Sequence, residues 1–66
     1  MASLSGKAQA SQQALRDAAA KYQSVVDRIV EDPRGEFFEE LRYAGDGVAD
    51  AATRFALDYA EGAEPA

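Results

Sequence analysis

The sequence contains no cysteine, no histidine and no tryptophan. Without cysteine, no disulfide can crosslink the chain and no thiolate nucleophile is available. Without histidine as well, Ser-His-Asp triads, Cys/His zinc sites and the Glu-x-x-His motif of di-metal helix bundles cannot be built. We therefore expect no catalytic residue, no cofactor and no metal ligand, and we interpret the chain as a non-enzymatic protein.

Long apolar runs and strongly basic segments are missing too. No stretch approaches the roughly 20 apolar residues that a membrane span needs, and Met1–Lys7 lacks the apolar core of a secretory signal. Basic residues are too sparse to form a nucleic-acid-binding face. We expect a soluble protein, cytoplasmic or part of an assembled particle. Export without a signal peptide stays open, and an RNA-binding dimer remains a third alternative.

What is present is helical composition in a single small domain. Only two prolines and five glycines occur in 66 residues, and strand-forming residues never alternate with polar ones over a useful window. Residues 1–30 carry four basic and two acidic side chains, a net charge of +2. Residues 31–66 carry three basic and ten acidic side chains, a net charge of −7. Halves of opposite charge suit an antiparallel pair of helices.

The segment Asp32-Pro33-Arg34-Gly35 predicts that the chain reverses near its centre. These residues fit a type I turn, because Asp favours the first position, Pro presets φ at the second and Gly is favoured at the fourth. Alternatively, Asp32 is the N-cap of a second helix and Pro33 is its first residue. In both cases the first helix ends by Asp32, since a residue before proline avoids helical geometry.

Apolar and small residues recur at alternating spacings of four and three on both sides of this turn, which is typical of a coiled-coil seam. The first series is Leu4, Ala8, Ser11, Leu15, Ala18, Tyr22, Val25, Ile29, and the second is Phe38, Leu41, Gly45, Val48, Ala52, Phe55, Tyr59, Gly62. We predict an all-α, antiparallel helical hairpin over residues 1–66. It has a helix at about 5–31 capped by Ser3 or Ser5, a turn at 32–35, a helix at about 36–61 and a tail at 62–66.

Two features of the second helix leave alternatives open. Gly45 and Gly47 together cost a helix interior about 2 kcal/mol, so the helix could break at 44–47. The unbroken seam spacing favours a continuous helix. A row of alternating charges is interpreted as a solvated face, or alternatively as a docking surface for a basic partner; it comprises Arg42, Asp46, Asp50, Arg54 and Asp58.

The large apolar side chains are too many for one seam between two helices, and Val26 and Phe37 are expected to face water in an isolated hairpin. Each large side chain left exposed forfeits about 1.5–3 kcal/mol. We therefore predict a structural subunit that completes a four-helix bundle with itself or packs into a larger assembly, such as a phage particle or a secretion complex. The alternative is a small acidic inhibitor, of antitoxin or anti-defence type, that binds a basic partner. The predicted assembly residues are Tyr22, Val25, Val26, Ile29, Phe37, Phe38, Leu41, Tyr43, Phe55 and Tyr59.

Overall fold

The computed structural model describes residues 4–62, which form two α-helices and the loop between them. Helix α1 spans Gly6–Glu31 and helix α2 spans Phe38–Gly62. The two helices pack side by side as an antiparallel hairpin that measures 51 × 18 × 16 Å. The predicted all-helical hairpin is confirmed. We call the end of the hairpin that carries the loop the tip, and the opposite end the open end.

Helix α1 begins with a serine cap. The Ser5 hydroxyl accepts a hydrogen bond from the Ala8 amide at 3.1 Å, which satisfies one of the amides that the first helical turn leaves without a partner. The alternative cap, Ser3, lies outside the described residues. In the last turn, Arg28 provides a positive charge where the helix dipole favours one.

The loop at the tip is held together by its own charged side chains. Asp32 is the C-cap of α1, and its amide donates to the Arg28 carbonyl at 3.0 Å. The Asp32 carboxylate then accepts two hydrogen bonds from the Arg34 guanidinium, at 2.7 and 2.5 Å. Gly35 has φ +84°, a value that residues with a Cβ rarely adopt. Asp32 therefore ends the first helix and does not cap the second.

Helix α2 runs without interruption through both of its internal glycines. A Cβ built on Gly45 would lie 3.5 Å from the Tyr22 ring, so this glycine lies directly beneath an aromatic side chain of α1. A Cβ built on Gly47 would meet nothing within 4 Å. Gly47 consequently carries the helix-propensity cost of glycine with no packing contact in return.

We expect Gly47→Ala to raise the free energy of unfolding by about 1 kcal/mol, because alanine has higher helix propensity and the site has room for its methyl group. Chemical denaturation monitored by circular dichroism measures the change. Gly35→Ala is the matched control and should destabilise the protein, since its φ is positive. A loss of stability in Gly47→Ala would mean that α2 is not helical at this position.

The residues that face each other across the hairpin define an inner seam. On the α1 side, including Leu4 just before the helix, it comprises Leu4, Ala8, Ser11, Leu15, Ala18, Tyr22, Val25 and Ile29. On the α2 side, including Phe37 just before the helix, it comprises Phe37, Leu41, Ala44, Val48, Ala51, Phe55 and Asp58. All of them are buried or half-buried except Tyr22, which is 37% exposed at the edge. The α1 seam follows the predicted series throughout.

The α2 seam differs from the predicted series in four of its seven positions. Leu41, Val48 and Phe55 are shared, but the hairpin uses Phe37 where Phe38 was expected and Asp58 where Tyr59 was expected. The prediction that Asp58 belongs to a solvated face was wrong, because the side chain is only 3% exposed. Val26 and Phe37 are half-buried and do not fully face water.

The interior of the hairpin is small. Its buried apolar residues in the described part of the chain are Ala8, Val25 and Ala44, and Val25 is the only large side chain among them that is fully enclosed. In contrast, six large apolar side chains between positions 4 and 62 are more than one-third exposed: Tyr22, Val30, Phe38, Tyr43, Leu57 and Tyr59. The contact between two helices thus buries only part of the apolar surface that the sequence provides.

Candidate functional site

The structure divides the predicted assembly residues into two groups. Val25, Ile29, Leu41 and Phe55 belong to the inner seam and are used within the hairpin. Others present most of their surface outside it, namely Phe38 at 63%, Tyr43 at 68% and Tyr59 at 57% exposed. The ring centroids of Phe55 and Tyr59 lie 6.4 Å apart, so an aromatic pair extends from the seam to the surface.

Facing pairs along the hairpin fix its register. The two residue numbers in each pair add up to between 67 and 69, and the pairs are Ser5–Gly62, Lys7–Glu61, Ser11–Asp58, Tyr22–Gly45 and Arg28–Glu40. Because the sum of the two residue numbers stays within this narrow range, the helices remain in phase from the open end to the tip. The residues next to the inner seam can therefore be placed on one of two flanks.

The first flank is charged. It carries three of the four basic residues of α1 opposite Glu40, Arg54 and Glu61 of α2, and two ion pairs cross it within the described part of the chain. Lys7 Nζ lies 2.9 Å from a Glu61 carboxylate oxygen, and Arg28 bonds Glu40 near the tip. The Arg28 guanidinium also lies over the Phe37 ring, 5.6 Å from its centroid. The residues of the charged flank are Lys7, Ala14, Lys21, Arg28, Glu40, Gly47, Arg54 and Glu61.

The second flank has no charged residue in its first row. This uncharged flank consists of Ser5, Gln12, Ala19, Val26, Phe38, Gly45, Ala52 and Tyr59, which recur at intervals of seven along each helix. Val30 lies beside it on α1 and is 75% exposed. Three of the large apolar side chains, Val26, Val30 and Phe38, gather near the tip, whereas Tyr59 lies near the open end. Few exposed surfaces of a small helical protein combine this absence of charge with large apolar side chains.

A polar cluster closes the open end of the inner seam. The Ser11 hydroxyl lies 2.5 Å from Asp58 Oδ2 and 2.9 Å from the Lys7 carbonyl oxygen. A hydroxyl has one proton, so Ser11 donates to only one of these acceptors at a time. Asp58 Oδ1 is buried and has no hydrogen-bond partner in the described part of the chain. The nearest positive charge, Lys7 Nζ, lies 3.6 Å from that oxygen.

Lys7 bridges this cluster to the surface. Its hydrogen bond to Glu61, the charge of Glu61 and the charge of Asp58 raise the pKa of Lys7 above its ordinary value of 10.5. The lysine therefore remains protonated throughout the neutral range and supplies a fixed positive charge beside a buried carboxylate. The Lys7 ammonium group is exposed, and we assign its ion pairs with Glu61 and Asp58 a structural role at the open end.

Sequence reasoning missed the pairing of Ser11 with Asp58. Asp58 was placed among surface charges because other charged residues recur every four positions before it. One signal was available, since Ser11 is the most polar residue of the α1 seam and the central turn places position 58 opposite it. A buried polar group requires a polar partner. Matching positions that lie at equal distances before and after the central turn would have identified Ser11 and Asp58 as partners.

Between positions 4 and 62, no group of three or more acidic side chains is placed to hold a metal ion. Within the same range, neither helix combines the length and apolar character that crossing a bilayer demands.

Comparison with known proteins gives no family to which the chain can be assigned. Neither a protein-family model, nor a curated protein, nor a solved structure matches this sequence or fold.

Proposed function

We propose that this protein is a non-enzymatic assembly subunit, a helical hairpin whose function is to pack against copies of itself or into a larger complex. The observation that carries the proposal is the imbalance between its interior and its surface. Among residues 4–62, a single large apolar side chain, Val25, is fully enclosed, whereas Phe38, Tyr43 and Tyr59 are more than half exposed. Small domains need additional stabilisation, and oligomerisation is a common source.

Helical hairpins typically complete their cores by pairing into four-helix bundles. Stability that depends on association depends on protein concentration by mass action. We expect sedimentation analysis at micromolar concentrations to give a mass of at least twice 7.1 kDa, and the melting temperature to rise with protein concentration. A cooperatively folded monomer with a concentration-independent melting temperature would contradict the proposal.

A second candidate, a small acidic inhibitor, rests on the outer side of α2. Glu39, Asp46 and Asp50 are exposed there, and Glu36 continues the acidic surface into the loop. Such a surface would attract a basic partner, and its affinity would fall steeply as salt is raised. An assembly subunit held by apolar contacts should bind with little dependence on salt. Titration of complex formation between low and high salt therefore separates the two candidates.

A further inference from the structure

We infer that the uncharged flank is the surface on which a second copy of this chain packs, with the tips of the two hairpins at the same end of a four-helix bundle. This inference rests on the proposed function and identifies its partner, its surface and its geometry. Three independent features support it: the charge of the flanks, the area of the face and the position of its large apolar residues.

The distribution of charge indicates which of the two flanks the second copy covers. Two copies each carry a net charge of −5 and repel one another unless they meet where charge is absent. On the charged flank, four of the six charged side chains are already paired across the hairpin, through Lys7–Glu61 and Arg28–Glu40. Covering that flank would remove these groups from water at considerable cost. The uncharged flank can be buried without that cost.

The area of the face suits a stable dimer. A long side of the hairpin measures 51 Å by 18 Å, which corresponds to a projected area of about 900 Å². A standard interface buries about 800 Å² on each partner. One face of the hairpin is therefore large enough, and a second, separate contact surface is not required.

Apolar residues and helix charge determine the relative direction of the two copies. With both tips at one end, each α2 lies over α1 of the second copy, and Phe38 of each copy meets Val26 and Val30 of the other. The apolar part of the flank is thereby matched with itself, and Tyr59 lies near the glutamine-rich start of α1. Helix α1 carries a net charge of +1 and α2 carries −4, so this stacking pairs opposite charges.

The reversed arrangement, with tips at opposite ends, is less favourable both for the charges of the helices and for the apolar residues near the tips. It places α2 over α2 and so brings together the two helices with a net charge of −4. It also stacks α1 on α1 near Arg16, which is the charged residue in the α1 row (9, 16, 23 and 30) next to the uncharged flank. The large apolar residues near each tip would then lie over polar surface of the other copy.

The surface is tested by paired substitutions. We expect Phe38→Glu to weaken dimerisation by at least about 100-fold, because it places a charge in the centre of the apolar cluster. Position 38 is the first residue of α2, where the helix dipole favours a negative charge. The hairpin itself should therefore remain folded in this variant. Leu57→Glu is the matched control: Leu57 is 55% exposed on the outer side of α2, and its change should alter the dissociation constant less than about threefold.

The geometry is tested by distances between spin labels. Because the chain has no cysteine, Glu31→Cys near the tip and Ala60→Cys near the open end each introduce a unique labelling site. Packed helices lie about 10 Å apart, so both labels should give distances below about 30 Å between copies. Reversed copies would separate the labels by nearly the 51 Å length of the hairpin.

The outcomes distinguish this inference from the proposed function. A dimer that tolerates Phe38→Glu, or whose labels lie near 50 Å apart, overturns the inferred surface or direction while the protein remains an assembly subunit. A protein that stays monomeric at all accessible concentrations overturns both.

Discussion

Val25→Ala is expected to lower the free energy of unfolding by about 2–3 kcal/mol, since two enclosed methyl groups are lost and a cavity remains. Val25 is 1% exposed and is the largest side chain that the hairpin encloses completely. A small domain has only a few kcal/mol of total stability. The variant should therefore be substantially unfolded at temperatures where the parent protein is folded.

Leu57→Ala is the control for this effect. It removes more atoms than Val25→Ala does, but from a side chain that is 55% exposed on the outer side of α2. Its cost should stay below about 1 kcal/mol, in line with surface substitutions. Urea denaturation of the three proteins at one fixed concentration gives the comparison. If the leucine truncation costs more than the valine truncation, Val25 does not lie between the two helices and the hairpin packs differently.

The second large effect concerns the Ser11–Asp58 pair. Ser11→Ala removes the hydroxyl that contacts Asp58 Oδ2 and leaves a buried carboxylate without a donor, which should cost about 1–3 kcal/mol. The double variant Ser11→Ala/Asp58→Leu should instead be as stable as the parent or more stable by about 1–4 kcal/mol. Replacing a buried ionic group by apolar residues of similar size often stabilises a protein.

The double variant also shows what the polar pair contributes besides stability. A polar residue inside a helical seam can fix the alignment of helices. We expect the double variant to populate additional oligomeric states in native mass spectrometry, while Ser11→Ala alone should not. Ser24→Ala, at an exposed position of α1, is the control and should change the unfolding free energy by less than about 0.5 kcal/mol. A double variant less stable than Ser11→Ala would show that Asp58 makes a net favourable contribution.

The sequence predicted the architecture well because the signals for it are local. Asp32, Pro33 and Gly35 specify the end of α1 and the reversal of the chain through their own backbone preferences. The spacing of apolar residues predicted that α2 continues through Gly45 and Gly47, as observed. None of these conclusions required knowledge of which residues meet across the hairpin.

The face of α2 was harder to predict because two seams fit its sequence. The positions 41, 48 and 55 can combine with 38, 45, 52 and 59, or with 37, 44, 51 and 58. The first set has the larger apolar side chains, including Phe38 and Tyr59, so hydrophobicity alone selects it. The hairpin uses the second set, which the pairing of Asp58 with Ser11 stabilises. That pairing joins residues 47 positions apart, and sequence periodicity carries no information about it.

The row of residues that the apolar pattern selected lies beside the inner seam, and three of its four residues, Phe38, Ala52 and Tyr59, are exposed. Phe38, Gly45, Ala52 and Tyr59 form the α2 half of the uncharged flank. Part of the incorrect seam prediction thus has a physical explanation under the proposed assembly. The sequence would encode two apolar contacts for α2, one with α1 of the same chain and one with a second copy.

The contact between Gly62 and Ser5 has a consequence for how the protein opens. A Cβ at position 62 would approach the Ser5 hydroxyl to 3.2 Å, and this hydroxyl is also the cap that holds the first turn of α1. The last turn of α2 and the first turn of α1 are therefore joined, with the Lys7–Glu61 bond beside them. Fraying of either turn removes support from the other, so amide hydrogens at both should exchange with solvent as one cooperative unit.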